Sequence, residues 1–321
     1  MLNKLPITGK KAVRAAYGEA LVELGNTNKD VVVLDADVSS STQTKLFGQK
    51  YPERFFNVGI AEGNMMAMAA GFAACGKIPF VNTFAVFITL RAGDPLRSVI
   101  AYPNLNVKLA GAYAGLSDSY DGATHQSVED VAVMRSIPNL KVIVVADATE
   151  ARLATLAAAK IEGPVYLRLS RAEIPVIFDG EYNFVFGKAH QLIPGDDLTI
   201  IANGYMVYKA MEAVQALNRK SIYPRLLNLH TVKPLDTEAV ITAAKETGAI
   251  LTVEEHSIYG GLGSAVAETI AQNYPVPMKI MGFNDRFGET GGYEEVLAKM
   301  GLTIEEIVLN AERLIKKKSE R

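Results

Sequence analysis

Short β-branched runs alternate with longer stretches of helical pattern through the first half of this sequence, and that alternation confines the chain to a parallel sheet covered by helices. Residues 10 to 24 read as a helix, VVVLDAD (31 to 37) as a buried strand, and AEGNMMAMAAGFAACG (61 to 76) as a small-residue helix stopped by glycine. PFVNTF (79 to 84) enters as a strand, and residues 84 to 101 read mainly as helix. NVKLAGAY and KVIVVAD are further strands, TEARLATLAAAKIEG is another helix, and the strand PVYLRLS closes the unit near Arg171.

At 321 residues the chain exceeds the size at which one core usually stops growing, so two domains are expected. Between about 174 and 190 the pattern dissolves into IPVIFDGEYNFVFGKAH, which reads as the crossing between them. A second α/β unit follows, with strands LTIIANG, PRLLNLHTV and AILTVEEH and helices YMVYKAMEAVQALN, 236 to 247 and GSAVAETIAQNY. The expected division is a first domain over 1–175, a linker over 176–190 and a second domain over 191–321. No short repeat of fixed period occurs, which sets solenoids and propellers aside.

Composition narrows the function classes. A charged fraction of 21% beside 49% hydrophobic residues excludes extended disorder. A net charge of -2 gives no electrostatic reason to expect nucleic acid or an anionic membrane as partner. The N-terminus has no apolar signal region, and nothing reaches the roughly 18 uninterrupted apolar residues of a spanning helix, so a soluble cytoplasmic protein is expected. Cys75, the single cysteine, excludes an internal disulfide or a CxxC metal site, and its setting in AAGFAACG predicts a buried, inert thiol. Lys316, Lys317, Lys318 and Arg321 read as a frayed, solvated terminus.

Three segments could carry chemistry. FFNVGIAEGNMMAMAAG puts one carboxylate, Glu62, at the start of a helix otherwise made of small and apolar residues, where a glutamate most often only complements the helix dipole. TFAVF sets Phe84 and Phe87 three residues apart, on one face if the helix has begun by then, and such pairs are more often core than pocket. GLSDSYDGATHQSVED is a long polar loop carrying His125, one of four histidines, close to Asp121. Loops of that kind at the ends of a parallel sheet tend to hold active sites. GGLG after AILTVEEH invites a dinucleotide-binding reading, but Gly261 and Gly263 are followed by Val266 and the required spacing fails.

Taken in order, GIAE (59–62), TFAVF (83–87), DGATHQ (121–126) and LRLSR (167–171) resemble the pyrimidine-binding half of transketolases. VKPLD and VEEHSIYGGLGSAVAE are similar to the C-terminal domain of the same family, so the resemblance covers essentially the whole chain. It implies an α/β protein of two domains: a parallel-sheet, thiamine-diphosphate pyrimidine-binding domain and a smaller α/β transketolase C-terminal domain. The family holds the diphosphate and its metal through a GDG motif, which this sequence lacks; PGDDLT (194–199) does not fit it. The resemblance therefore implies the C-terminal subunit of a split enzyme, with thiamine diphosphate as cofactor and Mg2+ or Ca2+ held mainly by an N-terminal partner subunit carrying the GDG domain. It implies an α2β2 heterotetramer that moves a two-carbon ketol unit from a ketose phosphate to an aldose phosphate, and a chain that is inactive alone and ligates no metal itself.

The resemblance also implies roles. Glu62 matches the carboxylate that hydrogen-bonds the pyrimidine ring nitrogen and switches the cofactor on. Phe84 and Phe87 match the aromatic wall for that ring, whose third member, usually tyrosine, is Leu90 here. Asp37, in LDADVSSS, matches a cofactor-proximal aspartate. His125 matches a residue that contacts the reacting oxygen and shuttles protons, and Asp121 one that recognises a sugar hydroxyl. Arg14, Ser41 and Arg171 fall where the family grips the sugar phosphate. Tyr113 stands where a phosphate-contacting histidine is common and SDSYDG replaces SVGEDG, so phosphate affinity or acceptor preference is expected to differ. The alternatives are the beta subunit of a 2-oxo acid dehydrogenase decarboxylase component and a non-catalytic regulatory subunit; deoxyxylulose-phosphate synthase shares many of these strings but normally in one long chain.

Overall fold

The computed structural model describes residues 7–320, which form two main sheets. The larger has seven strands in the order Thr231–Lys233, Lys141–Val144, Val165–Arg168, Lys108–Ala112, Ile78–Phe84, Val31–Asp35 and Phe55–Asn57. Every pairing in it is parallel except that of the Thr231–Lys233 edge. Its central strands are buried on both faces, as helix-covered parallel strands must be: Val31 to Asp35 and Lys108 to Ala112 are buried throughout. The smaller sheet has five strands in the order Met278–Phe283, Ile250–Ser257, Thr199–Ala202, Arg225–Asn228 and His190–Ile193, with the last pair antiparallel.

Local signals explain several element ends. Asp147 caps the Ala148–Ala158 helix by accepting the Glu150 N–H at 2.8 Å, and Asp236 caps Thr237–Thr247, which Gly248 ends at a φ of 66°. The helix expected over 10 to 24 is preceded by a short strand, Lys10–Ala12, which pairs with Glu173–Pro175, and runs over Val13–Thr27. The single strand expected in PRLLNLHTV is two. Arg225–Asn228 stays in the smaller sheet, while Thr231–Lys233 crosses to the edge of the larger one, where the Val144 N–H donates to the His230 carbonyl at 2.7 Å.

Two expectations are corrected. Cys75 is exposed. The helix Glu62–Ala74 buries Met65, Met66, Ala69 and Ala70 and turns Asn64, Ala67, Gly71 and Ala74 outward, so the small residues beside the thiol belong to a surface and not to a core. The lysine-rich end is not frayed. It continues the helix Ile304–Ser319, from which Lys318 donates to the carbonyls of Asp197 (3.0 Å) and Thr247 (2.7 Å); Arg321 lies outside the described residues. Among the described residues no helix is long and apolar enough to cross a membrane.

The two sheets meet through buried polar groups. Glu150, fully buried, accepts from Asn228 Nδ2 (2.7 Å) in the smaller sheet, from Tyr182 (2.5 Å) in the connecting segment, and from the Ala146 N–H (2.7 Å). Burial pushes its carboxyl up to about 8, against those hydrogen bonds. Below the unfolded-state value of 4.5 Glu150 is neutral in both states and the advantage is complete; as pH rises towards 8 only the unfolded chain ionises freely, and stability is lost. The urea midpoint should accordingly fall between pH 5 and pH 8, and Glu150→Gln should flatten that slope, leaving only the part contributed by other raised carboxyls such as Glu255.

Candidate active site

The residues singled out in the sequence gather beyond the carboxyl ends of the larger sheet's strands, where open α/β sheets place their ligands. Asp35 ends its strand with a buried carboxylate that accepts from the Val38 N–H (2.6 Å) and from the hydroxyls of Thr42 and Thr44 (2.8 Å each). Burial raises its carboxyl despite these donors. That network folds the following turn tightly enough to hold Asp37 at a φ of 65° and exposed, where Asn57 Nδ2 donates to its Oδ1 at 2.9 Å. The same turn offers the Ser41 carbonyl to Arg14 at 3.0 Å; the Ser41 hydroxyl is not part of that contact.

Glu62 begins its helix 2% exposed, and its Oε2 is a buried oxygen with no partner. Its Oε1 accepts from Arg91 at 2.8 Å, and the Arg91 guanidinium also lies over the Phe87 ring at 4.0 Å. Phe84 and Phe87 stack at 5.8 Å, but not as two turns of one helix: Phe84 ends the strand and Phe87 opens a π-helical turn in which the Ala92 N–H reaches back to the Phe87 carbonyl. That widened turn brings Arg91 back over Phe87. Leu90 is 55% exposed and takes no part in the stack. The third ring is Tyr113, lying 4.3 Å from Phe84 and nearly parallel to it, and His125 meets Phe87 edge-on at 5.4 Å.

Tyr113 has a φ of 60°, an unusual conformation for a bulky residue. Several contacts hold it there. Its hydroxyl accepts from Arg14 at 2.8 Å, and the guanidinium groups of Arg14 and Arg171 lie 5.5 and 4.9 Å from its ring centre. Arg171 in turn pairs at 2.8 Å with Asp118, which is fully buried. Burial, then the neighbouring Asp121, push the Asp118 carboxyl up to about 7, against the pull of Arg171. Asp121 itself is exposed.

The loop carrying Asp118, Asp121 and His125 is fastened from beneath. Glu255, at the end of a strand in the smaller sheet, accepts from the Leu116 N–H at 2.6 Å and from Tyr293 at 2.7 Å, and burial pushes its carboxyl up to about 7. Gly115 has a φ of 65°, and a Cβ there would come within 2.3 Å of Glu255 Oε1, so only glycine admits this approach. Arg168 donates to Asp130 (2.7 Å) and to the carbonyls of Ser127 (3.3 Å) and Glu255 (3.0 Å).

Eight of the nine candidate residues thus form one connected set, linked from Glu62 through Arg91, the three rings and His125 to Arg14, Ser41 and Arg171, and through Asp118 to Asp121; Asp37, held by Asn57, joins none of these contacts. Reading the sequence missed Arg91, Asp118 and Glu255, because their partners are far along the chain; Arg91 alone carried a signal, as a charge within the apolar run FITLRA, whereas Asp118 lies in a polar loop and Glu255 between Glu254 and His256. Among the described residues no group of three His, Cys, Asp or Glu side chains could hold a metal ion. A groove of about 600 Å3 lined by Arg135, Lys233, Glu268 and Thr269 lies elsewhere and contains none of the nine.

Two family models match this chain. A model of the transketolase pyrimidine-binding domain matches residues 9–176, and one of the transketolase C-terminal domain matches 187–307. A putative transketolase C-terminal section of Methanocaldococcus jannaschii is 44% identical over 301 residues, covering 92% of this chain and 94% of that protein. A 6-deoxy-6-sulfo-D-fructose transketolase subunit of a Clostridium species is 41% identical, covering 96% of each. A solved structure described as a split gene transketolase, inactive beta4 tetramer, superposes with a TM-score of 0.89 at 47% identity, covering 97% of this chain and 100% of that one.

Because Arg168 is the cation that lets Asp130 stay ionised while buried, Arg168→Met should lower the unfolding free energy by about 3–5 kcal/mol in urea titration.

Proposed function

This chain belongs to the transketolase family, joining its pyrimidine-binding and C-terminal domains, and from that membership we propose that it is the C-terminal subunit of a split transketolase. In this reading it moves a two-carbon ketol unit from a ketose phosphate to an aldose phosphate, and works only with an N-terminal subunit that carries the GDG diphosphate-binding domain. The support for a subunit is the end-to-end match to relatives named as a section or subunit. A second support is that Ile60 and Leu90 are 75% and 55% exposed and close in the chain to Glu62 and Arg91, as expected where a surface is covered on assembly.

The family depends on thiamine diphosphate, and the residues here suit its aminopyrimidine. The observation that carries the reading is the unpartnered, buried Glu62 Oε2 beside a stacked aromatic wall. A carboxylate needs a donor there, and a flat heterocycle with a protonated ring nitrogen would supply one while stacking on Phe87 and Phe84. When bound, the cofactor supplies a carbon nucleophile that carries the two-carbon unit. Glu62 would hold the proton at the pyrimidine ring nitrogen, and the aromatic wall would exclude water from that contact. Asp37 would lie near the cofactor from the neighbouring turn. His125, set against Phe87, would stand over the reacting oxygen and move its proton. Asp121 would take a sugar hydroxyl, while Arg14, Ser41 and Arg171 would grip the far end of the sugar. The diphosphate and its Mg2+ or Ca2+ fall to the partner, in an α2β2 assembly with the site between chains.

Arg91 already occupies both features that the pyrimidine would use, the Glu62 carboxylate and the face of Phe87. It would have to surrender both. In the complex reconstituted with the N-terminal subunit, Glu62→Ala should slow ketol transfer by about 10²–10⁴-fold, and an unchanged rate would overturn the assignment. Arg91→Met should tighten thiamine diphosphate binding by about tenfold in calorimetry of the same complex, since a charge-assisted hydrogen bond no longer competes.

A further inference from the structure

The far end of the proposed substrate site has an unusual balance of charge. Two guanidinium groups, Arg14 and Arg171, converge on the Tyr113 ring. An arginine pair of this kind would ordinarily be read as a cradle for a phosphate dianion. Here Arg171 is already engaged. Its NH1 donates to Asp118 Oδ1 at 2.8 Å, its backbone N–H donates to Ser117 Oγ at 3.0 Å, and Asp118 is 0% exposed with Oδ2 left unpartnered.

We propose that Asp118 is a specificity-determining residue, which by pairing with Arg171 withholds that guanidinium from a terminal phosphate dianion and favours sugars whose far end carries at most one negative charge. The inference rests on the transketolase reading and revises its substrate preference, ranking donors with a singly charged or neutral far end above the ketose phosphate. With Asp118 and Asp121 both ionised, two carboxylates balance the two guanidinium groups, and a dianion meets no net positive charge. A proton on Asp118 leaves one positive charge in excess and frees Arg171.

The groups that face Asp118 are few. Asp121 lies on its own loop, Arg171 on the segment after the Val165–Arg168 strand, and Arg14 reaches it only across Tyr113. Glu255 holds the loop from the opposite side through the Leu116 N–H. The segment that packs on the loop through the Gly291 N–H to the Ser119 carbonyl brings Glu289, whose side chain is exposed and paired with Lys299 at 2.6 Å. Protonation of Asp118 is the change that alters Arg171 most directly, and its carboxyl sits at about 7, where physiological pH divides it between its two forms.

The test compares three donors in the reconstituted complex: fructose 6-phosphate, fructose, and 6-deoxy-6-sulfofructose, whose sulfonate is singly charged at every pH used. The phosphate is a dianion above about pH 7, because its second pKa is near 6. Between pH 7 and 8.5 the KM for the phosphate ester should rise by up to about tenfold per unit, with kcat moving much less; the sulfonate, with half the charge, should show a shallower rise, and the KM for fructose should stay level. In Asp118→Asn the ratio of the phosphate KM to the sulfonate KM should fall about tenfold at pH 8 and lose its pH dependence. Asp118→Ser should do the same, which guards against one poorly folding variant. A wild-type phosphate KM that ignores pH, or a KM ratio that neither substitution moves, overturns the inference while leaving the transketolase reading intact. Absence of transfer from all three donors sinks both together.

Discussion

The buried guanidinium of Arg168 is the interaction on which the rest of the site depends. It sits at the end of a strand in the larger sheet and satisfies, in one planar group, an aspartate on the helix Asp130–Ser136, a carbonyl at the end of the polar loop and a carbonyl in the smaller sheet. Burial works to raise the Asp130 carboxyl and Arg168 outweighs it, holding it below the usual carboxylate range. A charge of this kind stabilises little in net terms, since taking it out of water costs about as much as its pairing returns. What it contributes is position. The loop between Tyr113 and Ser127 contains no regular strand or helix, yet Arg168 holds one end and Glu255 the other, so the segment carrying Asp118, Asp121 and His125 is fastened at both ends.

In the proposed reading the site built on that support is half of a chemical environment, the other half falling to an N-terminal subunit. Along one face run a carboxylate with an orphaned oxygen, three stacked rings, an edge-on imidazole and two guanidinium groups, but no cluster able to bind a metal among the described residues. Aromatic contact and charge complementarity are supplied here. The Arg91 contact offsets part of the cost of that carboxylate, because a buried charge needs a donor and a nearby half-exposed arginine supplies one.

Much of this was legible in the sequence, for reasons that differ from residue to residue. The alternation of strand and helix patterns depends on local periodicity, and the parallel sheet follows from it. Glu62, Phe84, Phe87 and His125 could be singled out because each stands within a compact string. Arg91, Asp118 and Glu255 could not, since their meaning arises from contacts: Glu255 meets Leu116 across 139 positions of the chain, and no spacing rule connects them. Tyr113 was noticed only as a departure, and the structure gives it a place in the aromatic wall that Leu90, facing outward, does not fill. Cys75 was misjudged because a stripe of small residues on a helix reads the same whether it faces a core or open surface.

The short strand Thr231–Lys233 has a consequence for how the molecule can be taken apart. It belongs by sequence to the second unit and by hydrogen bonding to the first, where it covers the Lys141–Val144 edge. A polypeptide cut in the segment between the units would leave that edge open, with unpaired backbone groups ready to recruit another chain, and would strip Glu150 of its partner on Asn228. The boundary that pattern suggests is therefore not a mechanical one. The two units share a seam rather than a hinge, so opening one of them from the other would break sheet hydrogen bonds and not merely bend a linker.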